Sequence, residues 1–439
     1  MKKVALVSLG CAKNLVDSEV MLAVLKRSGY QPVTDEAGAD VIIVNTCGFI
    51  EPARQEARQA IERALRAKAA DPAKKVVVAG CYVRREGPEL QAKYPGVDVW
   101  TGVSDFDRVD RLVKGEKFAS RASTFLYDDR TPRLVSTPAS WAYVKISEGC
   151  SHRCSFCAIP SIKGPYRSRA TASVVREARA LAALGVRELN LISHDTTFYG
   201  SDRGVRHGLV RLLEKVASVP GIAWVRLLYG YPEEVSDELL AAMTDPKVCR
   251  YLDIPFQHCD PALIRSMGRR LDGAGALRLL ERIRARLPGV ALRTSLIVGY
   301  PGEGRREFKA LLGFVRQARF DHLGVFSYSP EKGTRAGSLK DTLSPSEKEE
   351  RRRAVMELQA SISAERNRGY VGRRLEVLIE TGPDGRGHDY SGRTRFQAPE
   401  VDGTTGLELP RTVKAPVSPL VEAEITRSGT YDLEGRIVG

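Results

Sequence analysis

Short runs of consecutive apolar residues alternate with longer segments of helical period over the first hundred residues. Lys3 to Leu9, Val41 to Asn45, Lys75 to Ala79 and Val97 to Trp100 read as strands buried on both faces. Asp17 to Ser28 and Glu51 to Ala69 read as the helices between them. Strands alternating with helices predict a doubly wound parallel sheet. From about Ala119 to Ser140 the chain turns irregular and rich in Ser, Thr, Pro and Arg, as an interdomain linker would. Six further apolar runs then recur with helical patterns between them: Trp141 to Ser147, Glu188 to Ser193, Ala223 to Tyr229, Tyr251 to Pro255, Val290 to Ile297 and His322 to Ser327. Such a series predicts a curved parallel sheet or partial β/α barrel. Ser344-Pro345-Ser346-Glu347 opens a charged helix with capping-box spacing and proline at its first position, running to about Arg368. Beyond it the pattern changes to short strand-like runs, Arg374 to Glu380, Leu407 to Leu409 and Leu420 to Thr426, broken by Gly, Asp and Pro. These fit a small β-barrel. The domain limits expected are 1–118, a linker at 119–138, 139–365 and 368–439.

Composition narrows the setting. A chain of 439 residues has room for two to four domains. Eight cysteines are too few for a disulfide scaffold of this length, and three of them cluster tightly, which points to metal in a reducing cytosol. The apolar run after Met1-Lys2-Lys3 is shorter than the ~7–15 residues of a signal peptide and reads as a first strand. No apolar stretch approaches the ~20 residues that span a bilayer, so a soluble, cytoplasmic protein is expected. No internal repeat, low-complexity tract or heptad seam is visible, and a monomer is expected. The net charge of +14 suggests an acidic partner such as nucleic acid or the ribosome. Residues 371–439, however, hold nine Lys/Arg against eleven Asp/Glu, a net of −2, so the terminal module does not resemble a basic RNA clamp.

The cysteines carry the chemistry. Cys150-Ser151-His152-Arg153-Cys154-Ser155-Phe156-Cys157 supplies three thiolates at intervals that suit one cubane iron-sulfur cluster, with one iron left for a small molecule. This CxxxCxxC stretch resembles the radical S-adenosylmethionine (SAM) enzymes. In that chemistry SAM chelates the open iron, and one electron passed into its sulfonium releases a 5′-deoxyadenosyl radical. The protein supplies orientation and keeps water from the radical. Polar motifs follow the other strands, among them His194-Asp195-Thr196, Gly230-Tyr231-Pro232, Phe256-Gln257-His258 and Gly299-Tyr300-Pro301. They lie where β/α barrels carry their chemistry. Phe156, Asp195, Thr196 and Gly299 are the candidates for SAM contact. Three more cysteines, Cys11, Cys47 and Cys81, each follow a strand of the first domain, and ligands of open α/β sheets bind outside those ends. Gly10, Gly48 and Gly80 stand beside them, as the approach of backbone to a bulky group requires. A second 4Fe-4S cluster there, again with an open iron, would favour sulfur insertion over simple hydrogen abstraction.

A domain with Cys11, Cys47 and Cys81, a central CxxxCxxC barrel and a terminal small β-barrel together resemble the methylthiotransferases over essentially the whole chain. The terminal module of that family is the TRAM domain. Several stretches are similar to the RimO type, which acts on an aspartate β-carbon of ribosomal protein S-twelve: Ser8-Leu9-Gly10-Cys11-Ala12-Lys13-Asn14, Lys145-Ile146-Ser147-Glu148-Gly149-Cys150, Asp195-Thr196-Thr197 and Tyr431-Asp432-Leu433. The resemblance implies two 4Fe-4S clusters, SAM, the small ribosomal subunit or its S-twelve protein as substrate, and an electron donor such as flavodoxin or ferredoxin. The other readings are a tRNA methylthiotransferase acting on a modified adenosine and a non-catalytic iron-sulfur protein that binds ribosomes or RNA. Three positions depart from the family pattern, Lys163 where Arg is usual, His194 where Gln is usual, and Glu434 where Trp is frequent. Lysine keeps the charge of arginine but loses its planar fork. His194 is expected to stand in for Gln as a hydrogen-bonding group, and Cys249 and Cys259 are expected to pack in the core.

Overall fold

The apolar runs of the first domain form a five-stranded parallel sheet in the computed structural model, which describes residues 1–438 apart from Asp384, Arg386 and Lys414. Its strands are Lys3–Ser8 (β1), Gln31–Val33 (β2), Val41–Thr46 (β3), Lys75–Gly80 (β4) and Val99–Thr101 (β5), in the order β2-β1-β3-β4-β5. Alternation along β3 explains the unbroken apolar run. Val41 and Ile43 face one layer of helices while Ile42 and Val44 face the other, so polar residues find no place. The helices Ala12–Arg27 (α1), Glu51–Ala70 (α2) and Cys81–Lys93 (α3) follow β1, β3 and β4. Helix α1 begins five residues before the expected Asp17, because Cys11 takes the extended N-cap position, and β2 was not among the expected strands; α3 begins at Cys81 itself. The order reverses direction between β1 and β3, where such sheets open a crevice at their carboxyl ends.

The second sheet contains six parallel strands, Trp141–Lys145 (β6), Glu188–Ile192 (β9), Trp224–Leu227 (β10), Val248–Asp253 (β11), Ala291–Val298 (β12) and His322–Ser327 (β13), in sequential order. A two-stranded antiparallel ladder, Ser147–Glu148 (β7) with Arg167–Ser168 (β8), ties the segment after β6 to itself. Strand β11 starts three residues earlier than expected and stops before Pro255, which has no N–H to give the ladder. Ala142, Val144, Leu189, Leu191, Val225 and Leu227 pack against the outer helices. Trp141, Tyr143, Ile192, Trp224, Cys249 and Tyr251 instead join a core shared with α1 and with Leu378 and Ala398 of the terminal domain. The concave face is therefore covered by the two flanking domains. Cys249 and Cys259 both lie buried in core, as expected.

The terminal domain is a closed five-stranded barrel made by Arg374–Thr381 (β14), Tyr390–Thr394 (β15), Thr405–Glu408 (β16), Leu420–Ser428 (β17) and Leu433–Ile437 (β18). Strands β15 and β18 were not visible as apolar runs, since polar and glycine residues such as Ser391-Gly392-Arg393 make up most of them. The helix Pro345–Arg368 precedes the barrel, with Ser344 and Glu347 forming the expected capping box. The barrel meets the amino-terminal ends of the central strands through buried polar groups. Arg393 donates to Glu188 at 2.5 Å, and Glu188 also accepts from Arg226 at 2.7 Å. Tyr143 donates to Glu400 at 2.7 Å and Tyr251 to Asp402 at 2.6 Å.

On the opposite end, Glu331 after β13 is buried and accepts from Arg54 at 2.5 Å and Arg85 at 2.8 Å, clamping α2 and α3 to the central sheet. Residues 119–138 hold no helix or strand, yet Arg133 there bridges Glu19 of α1 at 2.7 Å and Glu177 at 2.8 Å. The segment is thus a strap fastened to both domains. Removing one partner of a buried ion pair leaves a desolvated charge behind, at a cost of about 3–5 kcal/mol. Arg393→Met should accordingly move the urea transition that detaches the terminal barrel to lower concentration by an amount equivalent to about 3 kcal/mol, measured by far-ultraviolet circular dichroism and barrel-specific hydrogen exchange.

Candidate active site

Sheet order brings the carboxyl ends of β1, β3 and β4 side by side, and Cys11, Cys47 and Cys81 sit one to three residues past them. A Cβ on Gly10 would stand 3.0 Å from the Cys47 sulfur, and one on Gly48 would stand 2.7 Å from the Tyr82 Cα beside Cys81. Gly10 and Gly80 also adopt φ of +90° and +102°, which side-chain-bearing residues rarely take. The three thiols feel one another electrostatically: Cys11 raises Cys47, and Cys47 and Cys11 raise Cys81. Burial is the larger cause, pushing Cys47 up to about 11 and Cys81 up to about 12, while the backbone N–H of Phe49 and the charge of Lys163 pull them back. Cys11 alone of the three is exposed.

Cys150, Cys154 and Cys157 all lie in the loop after β7. Burial pushes Cys150 up to about 11 and Cys157 up to about 12, with smaller contributions from neighbouring thiols. The backbone N–H groups of His152 and Ile159 and the charge of Arg269 work against that rise. Two other strand-end segments brace the loop. Ser155 N–H donates to Met267 O at 2.9 Å, and Ala336 N–H donates to Ser155 O at 2.8 Å. His152 is fixed by Asp195 at 2.5 Å and stacks on Tyr231 with centroids 3.8 Å apart, and Arg269 lies 4.1 Å from the same ring.

Asp195 and Thr196 are both 1% exposed and already engaged. Asp195 accepts from Thr197 N–H at 2.9 Å as well as meeting His152, and Thr196 donates to the carbonyls of Leu228 and Tyr229. They shape the strand end around the cysteine loop. Phe156 is half-buried against Met267, Ile297 and Tyr300. Gly299, at φ +73°, donates its N–H to Glu303 at 3.0 Å and lies under the Lys348 stem, where a Cβ would come within 2.4 Å of Lys348 Cγ.

Between the two cysteine groups lies a buried charge cluster that sequence pattern did not reveal. Lys145 contacts Asp17 of α1 and Glu148 of β7, the latter at 2.8 Å. Lys163 reaches the same carboxylates at 3.2 and 3.5 Å. Lys163, the departure from Arg, thus keeps its charge paired; burial is the largest single effect and disfavours its ammonium, but Asp17, Glu148 and Cys81 together outweigh it and hold the group well above its usual range. Charges at residues 17, 145, 148 and 163 are separated too widely in the chain to form a local motif. The one available clue was a lysine inside the otherwise apolar run Trp141 to Ser147. His194 lies 3.7 Å from Glu148, beyond hydrogen-bond range, and its Nδ1 has no hydrogen-bond partner among the described residues. Burial lowers its pKa to about 3, ahead of the raising effect of Glu148. Nδ1 therefore makes no hydrogen bond to Glu148.

The donor sets fit iron-sulfur clusters on the chemistry of their sulfurs. Desolvated thiols this reluctant to ionise carry thiolate charge only against a metal cation, and three sulfurs without oxygen donors suit soft-ligand iron sites. Among the described residues no three His, Cys, Asp or Glu side chains close on one point as the ligands of a single ion do. Cluster thiolates bind separate irons and need no such point.

Comparison with known proteins agrees in each part of the chain. Residues 3–102 match the family described as uncharacterized protein family UPF0004, residues 144–315 the radical SAM superfamily, and residues 371–438 the TRAM domain. The ribosomal protein uS12 methylthiotransferase RimO of Pelobacter propionicus is 44% identical over 99% of this chain and 98% of that protein. Its namesake in Desulforamulus reducens is 40% identical over all of both chains. The chain belongs to the RimO family of radical SAM methylthiotransferases. It is accordingly an enzyme, and the superfamily's cofactors are a 4Fe-4S cluster and SAM. Solved radical SAM structures share the fold at low identity. The methyltransferase TsrM of Kitasatospora setae, determined with cobalamin and a 4Fe-4S cluster, gives a TM-score of 0.56 at 16% identity over 76% of this chain and 74% of its own. OxsB, a cobalamin-dependent radical SAM enzyme, gives 0.51 at 12% identity over 77% of this chain and 54% of its own. Among the described residues no helix is long and apolar enough to cross a membrane.

Two measurements follow from the electrostatics. In metal-free folded protein at pH 8, alkylation of Cys81 and Cys157 should run at least about 100-fold slower than in the unfolded chain, because a raised thiol pKa lowers the thiolate fraction. These thiols bind protons in the folded state that the unfolded chain releases above pH ~8.5, so metal-free stability should fall as pH rises past that value. For the RimO-family imidazole, His194→Gln should leave the pH profile of SAM cleavage between pH 5 and 8 unmoved, since the native ring is neutral throughout that window.

Proposed function

We propose that this enzyme adds a methylthio group to the β-carbon of an aspartate in ribosomal protein uS12, using two 4Fe-4S clusters. The observation that carries the reading is the pair of three-cysteine groups at the mouths of two parallel sheets, joined across the domain boundary by Asp17, Lys145, Glu148 and Lys163. Full-length similarity to enzymes named for uS12 supports the substrate. The net charge of −2 over residues 371–439 suits a basic protein partner better than an RNA backbone.

Cys150, Cys154 and Cys157 would hold the SAM-binding cluster, and Cys11, Cys47 and Cys81 the second one. When bound, these groups supply reductive cleavage of the SAM sulfonium at the first site and a sulfur donor position at the second. The protein's own part is to hold and insulate. N–H groups of His152 and Ile159 and the Arg269 guanidinium offset thiolate charge at the central loop, and hydrogen bonds to cluster sulfurs help set reduction potential. Asp195 fixes His152, Tyr231 stacks on it, and Thr196 ties the ends of β9 and β10, so the loop cannot drift from the strand ends. Phe156 gives SAM an apolar wall, with Asp195, Thr196 and Gly299 shaping the strand ends around it. An external one-electron donor such as flavodoxin or ferredoxin feeds the site, and a monomer in the reducing cytoplasm is the form inferred.

Anaerobically reconstituted enzyme given SAM, reductant and sulfide should add a methylthio mass to the aspartate of a uS12 loop peptide, and none to an anticodon stem-loop RNA. An increment on the RNA alone would transfer the reaction to a tRNA adenosine. Replacing Cys11, Cys47 and Cys81 together with Ala should abolish sulfur transfer while reductive SAM cleavage continues. Replacing Cys150, Cys154 and Cys157 should end both.

A further inference from the structure

Lys13 is the lysine that the buried charge cluster leaves without a carboxylate. It is 6% exposed, two residues beyond the exposed Cys11, in the first turn of α1. Its ammonium donates to Ser193 O at 3.3 Å and lies 3.3 Å from the centre of the Tyr229 ring. Among the described residues no carboxylate stands within ion-pair distance of it, whereas Lys145 and Lys163 share Asp17 and Glu148, two charges of each sign. The next candidate, Asp253, is engaged by Arg293 at 3.0 Å and by Tyr229 N–H at 3.2 Å.

An aromatic face steadies a cation without neutralising it. An ammonium has three donors, and one carbonyl uses one of them. Two donors are therefore left without an acceptor in a desolvated place, a position that an arriving anion would fill. Tyr229 holds its ring there from a left-handed backbone, φ +64°, a conformation that surrounding structure must impose on a non-glycine residue. The place is also central. Ser193 follows β9 directly before His194 and Asp195, and Asp195 braces the central cysteine loop, while Lys13 shares its helix turn with Cys11.

We propose that Lys13 receives the side-chain carboxylate of the substrate residue and so selects an acidic side chain over a nucleobase. The inference rests on the reading that an aspartate is modified. The carboxyl carbon is bonded to the β-carbon, so anchoring the carboxylate fixes the reacting carbon within one bond of the anchor. An adenine base is uncharged and has nothing to exchange for the ammonium's missing partner.

The test measures affinity of reconstituted enzyme, without SAM, for a fluorescent uS12 loop peptide carrying Asp or Asn at the reacting position, with SAM affinity measured separately. Native enzyme should prefer the Asp peptide by about tenfold or more, the scale of a charge-assisted hydrogen bond. Lys13→Met should erase that preference with SAM affinity unchanged, and Lys13→Arg should recover part of it. Lys13→Gln decides the matter should the Met variant lose its clusters. A preference that survives both neutral variants, or is missing from native enzyme, overturns the assignment. Loss of SAM affinity in the neutral variants would give Lys13 to the SAM carboxylate, and a change confined to hydrosulfide binding would give it to the sulfur donor; either overturns it too. Should native enzyme modify the peptide while the neutral variants keep their preference, the Lys13 assignment alone fails. Should native enzyme modify only RNA, the proposed function fails as well.

Discussion

Two carboxylates and two ammonium groups, all removed from water, hold the working parts of this enzyme together. Asp17 comes from the first domain, while Lys145, Glu148 and Lys163 come from the strand and loops that carry the central cysteines. Each charge is too desolvated to stand alone, so none can leave without stranding the others. The distance between the two groups of cysteines is therefore set by electrostatic neutrality, with α1 as the element that transmits it. The Glu331 clamp on Arg54 and Arg85 and the Arg133 strap between Glu19 and Glu177 fasten other edges of the same interface.

That design accounts for the thiols. Burial keeps Cys47, Cys81, Cys150 and Cys157 protonated when no metal is present, which protects them from oxidation and alkylation before clusters arrive. Loading the clusters then exchanges protons for iron, and the same low-polarity surroundings that disfavour a bare thiolate strengthen its bond to a cation. Protein stability and metal retention become coupled through the same residues.

The alternation of strands and helices, the central barrel and the terminal domain could be read from the sequence because they rest on local periodicity: β3 and β4 carry unbroken apolar runs, β13 begins and ends where its pattern does, and Ser344 with Glu347 announces its helix. Cys150, Cys154 and Cys157 were readable for the same reason, being neighbours in the chain. Strands β15 and β18 escaped because a closed small barrel asks little of side chains beyond fitting its curve, and Gly392 and Gly435 serve that end better than Val or Ile. The partners of Lys163 and the ring beneath Lys13 escaped for a different reason. A salt bridge between residues 17 and 163 leaves no period, and a cation over Tyr229 depends on two domains docking. Asp195 was picked out by its place after a strand, but its engagement with His152 in a separate loop exists only in three dimensions.

The terminal barrel's loop from Arg393 to Asp402 enters the concave face of the central sheet, where Ala398 joins the core, Glu400 at φ +66° meets Tyr143, and Asp402 meets Tyr251. Those residues are made after every strand of the central sheet. Nascent chains fold domain by domain as they emerge, and here the first sheet can close upon itself early, while Trp141, Trp224 and Tyr251 of the central half-barrel lack part of their cover until Leu378 and Ala398 are made. Completion of the catalytic body thus waits on the barrel, and a chain lacking it presents an open aromatic face to chaperones and proteases instead of a partly working enzyme.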